Sequence, residues 1–85
     1  MSTIPVRVLV LDTWDELPFD VPAETGVTDL KRRALTAARV TAPPEGYEVK
    51  FRGALLPEGD TTLGDAGVVP NGALIVLSRR RRPAR

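Results

Sequence analysis

The chain contains no cysteine and no histidine, and each absence closes off a class of chemistry. Without thiols there is no disulfide staple, no thiolate nucleophile and no cysteine-bound zinc or iron–sulfur site. Without imidazole the chain lacks the usual general base near neutral pH and the commonest metal ligand. Aromatic residues are scarce, with one Trp, one Tyr and two Phe, which argues against a base-stacking surface for nucleic acid. Long apolar runs are missing too. The longest, Ala73 to Leu77, is far too short to cross a bilayer. The opening Met1-Ser2-Thr3-Ile4-Pro5 lacks the basic and apolar regions of a signal peptide, so a cytoplasmic protein is expected.

What remains is 85 residues, 42% hydrophobic and 27% charged, which reads as one small globular domain. A chain of this size buries only roughly 60–65% of its unfolded surface, enough for one thin core. The formal net charge of +1 hides an asymmetry. Arg79, Arg80, Arg81, Arg82 and Arg85 crowd the end, while residues 1–78 carry seven basic against eleven acidic groups, a net of −4. The expected organisation is therefore a domain over 1–78 and a flexible polybasic tail over 79–85, solvated because like charges repel. Such a tail is also suited to phosphates or an anionic membrane surface.

Val6-Arg7-Val8-Leu9-Val10-Leu11 is rich in β-branched residues and reads as a strand. Asp12 to Glu16 is a polar connection to a second strand, Leu17 to Val21, making a hairpin. Period-2 alternation puts Val6, Val8 and Val10 on one face with Leu17, Phe19 and Val21, and Pro18 points to an edge. Thr25 and Thr28 are candidate N-caps of a helix whose apolar stripe is Val27, Leu30, Ala34, Ala37 and Ala38. Lys31, Arg32, Arg33 and Arg39 then fall on its solvated side, and Pro43-Pro44 stops it. Tyr47 to Arg52 alternates strictly and reads as a third strand. Leu55-Leu56 is a very short one, Thr62 to Val68 a capped turn carrying Leu63 inward, and Ala73 to Leu77 the last strand. One helix over a mixed four- to five-stranded sheet is an α+β two-layer fold. For the first and last strands to shield the helix they must lie together at the centre, which is the β-grasp arrangement.

The stretch from Phe51-Arg52-Gly53 through Leu56, Gly59, Thr62-Leu63-Gly64-Asp65 to Val68 resembles the ubiquitin-like proteins. Pro43-Pro44-Glu45-Gly46-Tyr47-Glu48-Val49, followed by Leu63-Gly64-Asp65-Ala66-Gly67-Val68 and Asn71-Gly72-Ala73-Leu74, is similar to signatures of the bacterial YukD/EsaB ubiquitin-like proteins. That resemblance covers about Val6 to Leu77. It implies a non-catalytic accessory or adaptor of type VII (ESX-like) secretion, related to the cytosolic domain of the membrane component EccD. The run Arg79-Arg80-Arg81-Arg82 departs from the family pattern, and it would suit the inner face of a membrane.

Conjugation in the ubiquitin-like families needs a C-terminal diglycine, and no glycine follows Gly72. A modifier or decoy of a conjugation-like system is therefore the alternative reading, and an anionic-surface binder acting through the tail is a third. On the same alignment Lys50 replaces the central isoleucine of ubiquitin's binding patch. Alternation nevertheless turns Arg7, Leu9, Leu11, Glu48, Lys50, Arg52, Ile75 and Leu77 outward. Leu9, Leu11, Ile75 and Leu77, with Lys50 at the rim and Trp14 at the hairpin tip, are the expected protein-binding or self-association face. The cluster Asp12, Asp15 and Glu16 reads as a solvated turn, and the scattered glycines as turn formers rather than a phosphate loop. The expectation is a non-enzyme with no cofactor, metal or small-molecule substrate. It would be a monomer or weak homodimer whose partners are proteins, possible secretion components among them.

Overall fold

The β-branched N-terminal stretch and the alternating residues after it form a hairpin of β1 (Thr3–Val10) and β2 (Asp15–Pro22) in the computed structural model, which describes residues 3–79. Both strands start earlier than their apolar runs, because antiparallel pairing extends from Thr3 opposite Pro22 to Val10 opposite Asp15. Asp15 and Glu16, read from sequence as loop, are thereby strand residues. The chain continues through α1 (Val27–Ala37), a 3-10 turn at Pro44–Gly46, β3 (Tyr47–Phe51), β4 (Ala54–Leu55) and β5 (Gly72–Ser78). The sheet order is β2-β1-β5-β3-β4, with β1 and β5 parallel at its centre and the other pairs antiparallel. This is the expected α+β arrangement. Pro18 and Pro22 sit on the edge strand β2, where a missing N–H leaves no gap in the sheet interior.

Alternation decides the core. Val6, Val8, Val10, Val49, Phe51, Leu74 and Val76 are buried on the helix side of the sheet, and Leu63, in the segment between β4 and β5, is wholly buried. Each such side chain is worth about 1.5–3 kcal/mol of transfer free energy. Gly72 sits where β5 passes closest to its surroundings. A Cβ there would lie 2.9 Å from the Val69 carbonyl oxygen and 3.0 Å from the Phe51 ring.

The helix departs from its sequence reading at three points. Its buried stripe is Val27, Leu30, Lys31, Ala34, Leu35 and Ala38, while Ala37 is exposed. Lys31, placed by its charge on the solvated side, is only 3% exposed. Neither Thr25 nor Thr28 caps the helix. Gly26 is the N-cap, and the Val27 N–H donates to the Thr61 carbonyl, so the loop before Leu63 supplies the acceptor that a side chain was expected to give. The helix also ends well before the prolines. Arg39 takes φ 63°, the Val40 N–H donates to Leu35 and the Arg39 N–H to Thr36, a Schellman ending with arginine where glycine is usual.

Candidate interaction face

The outer side of the sheet is built by strand register. Leu9 on β1 lies beside Ile75 on β5, Ile75 beside Lys50 on β3, and Lys50 beside Leu55 on β4. Glu16 on β2 completes the row on the other side of Leu9. One line of side chains, Glu16–Leu9–Ile75–Lys50–Leu55, thus crosses all five strands, with opposite charges flanking an aliphatic pair. The next row towards the hairpin tip holds Leu11 and Leu77, with Glu48 opposite Leu77. The Leu11 N–H donates to the Val76 carbonyl at 3.0 Å, which carries the β1–β5 pairing past Val10.

Strand register puts Leu9, Lys50, Ile75 and Leu77 of the sequence-derived face on this side, with Leu11 following Leu9 by the same alternation. Ile75 is 37% exposed, and Leu9, Leu11, Lys50 and Leu77 are half-buried among their neighbours. Leu55, at 56% exposure, extends the patch and was missed because it sits in a two-residue strand. Its place opposite Lys50 is the same alternation carried across one more turn. Alternation turns Arg52 outward as well. It takes φ 57° at the end of β3, and its guanidinium lies 5.0 Å from the Phe51 ring centroid.

Trp14 is 74% exposed at the hairpin tip and adopts φ 57°. A left-handed residue closing such a loop is ordinarily glycine or asparagine, and a non-glycine residue there costs on the order of 1 kcal/mol. The largest side chain in the chain is therefore held in solvent by a backbone conformation that disfavours it. Of the neighbouring carboxylates, Asp12 accepts a hydrogen bond from the Tyr47 hydroxyl, and Glu16 pairs loosely with Arg7 at 4.0 Å. The Asp12 hydrogen bond first, then burial and the adjacent negative charge, push the Tyr47 phenol above its ordinary value.

A polar network ties the helix to the Tyr47 backbone and to Glu58. The Lys31 ammonium donates to Glu58 Oε1 at 2.7 Å and to the Tyr47 carbonyl at 3.0 Å. The Thr28 hydroxyl donates to the same Glu58 oxygen. Burial of a lysine is tolerated because its charge is paired and hydrogen-bonded. Arg79 joins this network: its guanidinium donates to the Tyr47 carbonyl at 2.9 Å and lies 3.5 Å from Glu58, while its N–H donates to the Gly46 carbonyl. Grouped by sequence with the tail, Arg79 is thus docked on the domain. Arg80, Arg81, Arg82 and Arg85 lie outside the described residues. Among the described residues no helix is long and apolar enough to cross a membrane.

No protein-family model and no curated protein matches the sequence. Solved structures do. A ubiquitin of Caldiarchaeum subterraneum is 14% identical with a TM-score of 0.78, covering 96% of this chain and 100% of that one. The ubiquitin-like domain of an Arabidopsis thaliana protein is 16% identical with a TM-score of 0.78, covering 100% of this chain and 86% of that one. A protein designed de novo on ubiquitin is 19% identical with a TM-score of 0.77, covering 99% and 98%. At these identities the likeness establishes architecture, and it agrees with the helix packed on a five-stranded mixed sheet with β1 and β5 at its centre. The chain has the ubiquitin-like β-grasp fold.

Proposed function

We propose that this domain is a non-catalytic protein-interaction module that docks a partner protein on the outer face of its sheet. Leu9, Leu11, Ile75 and Leu77 would form the apolar centre, with Lys50 and Glu48 as charged rim and Trp14 as an aromatic anchor. The observation that carries this reading is the register that sets Leu9 beside Ile75 on the two central strands, giving residues far apart in sequence one continuous apolar surface. Exposed aromatic anchors beside aliphatic clusters are the residues that most often dominate binding energy.

The partner class follows from the resemblance of the Pro43–Val49 and Leu63–Leu74 stretches to YukD/EsaB proteins. On that reading the partner is a cytosolic component of a type VII (ESX-like) secretion machine, and the domain acts as its adaptor in the cytoplasm. The test is affinity capture from a lysate of the source organism, wild type against a Leu9→Asp/Ile75→Asp double variant, at low and high salt. Secretion components that survive salt but disappear with the double variant support the proposal. A partner set that ignores the double variant and is stripped by salt transfers the function to the arginines of 79–85.

A further inference from the structure

We infer that the same outer face pairs with a second copy of this chain, in a two-fold dimer whose axis runs along the strands between β1 and β5. The inference rests on the reading of that face as an interface and names the occupant that covers it when no other partner does. The argument is one of self-complementarity. In the order β2-β1-β5-β3, a two-fold axis lying in the interface midway between the central strands exchanges β1 with β5 and β2 with β3.

That operation sets Leu9 against the partner's Ile75 and Leu11 against the partner's Leu77. It also sets Glu16 against the partner's Lys50, and Lys50 against the partner's Glu16. The outer row Glu16–Leu9–Ile75–Lys50 thus meets itself with apolar residues on apolar residues and opposite charges on opposite charges. Strands of the two sheets then run in the same sense, offset only by their twist, which is the aligned packing that sheets adopt face to face.

The competing two-fold, running across the strands along that row, fails on charge. It would place Glu16 on Glu16 and Lys50 on Lys50, and like charges brought together in an interface are strongly disfavoured. Arg7 lies near Glu16 on the same protomer at 4.0 Å, with both side chains more than half exposed, so Glu16 is free to turn towards a second cation. Lys50 has no ion pair among the described residues. Association through a face of half-exposed aliphatic residues with one charge pair on each side is expected to be weak, on the order of 0.1 mM, as in transient complexes.

Sedimentation velocity on the full chain, from about 10 µM to 1 mM at low salt, tests the geometry through charge exchange. Wild type should shift from monomer to dimer over this range. Glu16→Lys and Lys50→Glu should each weaken association by about tenfold or more, since each places like charges opposite one another. The Glu16→Lys/Lys50→Glu double variant should restore it to within a few-fold of wild type. Glu16 is exposed and Lys50 half-buried at the rim, and circular dichroism checks that each variant folds. Wild type that stays monomeric at about 1 mM, or a double variant no better than the singles, overturns the inference. If the chain stays monomeric while Leu9→Asp/Ile75→Asp still removes a heterologous partner, the dimer falls and the interaction module stands. If that double variant alters neither self-association nor partner capture, both readings fall together.

Discussion

Replacing Trp14 by glycine should make the domain more stable and less able to bind. Trp14 sits at φ 57° with 74% of its surface in solvent, so the folded state gains little packing from it while carrying the strain of a left-handed residue. Relief of that strain is worth about 1–2 kcal/mol, and glycine gives back about 0.4–1 kcal/mol of it through its freer unfolded chain. The net gain is roughly 0.5–1 kcal/mol, or about 2–8 °C in Tm for a domain of this size. Arg39→Gly is the matched control, because Arg39 has the same left-handed backbone, at φ 63°, at the end of α1 and away from the sheet face. Thermal melts followed by circular dichroism should show both variants stabilised by similar amounts. Partner capture and self-association should fall for Trp14→Gly alone. A Tm lowered by Trp14→Gly would mean that the indole packs on the domain. A raised Tm with undiminished binding would remove Trp14 from the interface.

Glu58→Ala strips the buried Lys31 ammonium of its 2.7 Å partner and leaves it the Tyr47 carbonyl, so a loss of about 3 kcal/mol is expected in urea unfolding. Arg79→Ala should cost under about 1 kcal/mol, because its 3.5 Å pair with Glu58 is half exposed; the reverse ranking would refute the assignment of Lys31 as the buried member. Tyr47 is the one tyrosine, so tyrosinate absorbance reports it alone. Its folded pKa is raised, so its contribution to stability is present in full below the ordinary value of 10.0 and is lost as pH climbs through the higher folded value. Tyr47→Phe should flatten that alkaline limb, and an unchanged limb would show that the Asp12 contact is not its source.

Much of the face was legible because a strand's side-chain period is a local property. Alternation in Val6 to Leu11, Tyr47 to Arg52 and Ala73 to Leu77 sorts inward from outward residues without any knowledge of neighbours. Glu16 and Leu55 escaped that reading for a different reason. Their place depends on how far a hairpin stays paired and on which strand a two-residue segment adjoins. Lys31 shows the opposite failure. Its position four residues after Val27 puts it within the buried stripe, where Glu58 and the Tyr47 carbonyl satisfy a charge that by type alone belongs in solvent.

By itself the sequence determined the order of elements, the two faces of each strand, the absence of thiol and imidazole chemistry, and the opposed charges of body and tail. Those follow from residue type and short-range period. Only the tertiary structure decided that Leu9 adjoins Ile75, that Lys31 is buried against Glu58, and that Arg79 docks on the domain rather than joining the tail. Each of these depends on a partner brought close by sheet pairing or helix packing. A charge's burial and a patch's continuity are set by such distant partners, and no local pattern encodes them.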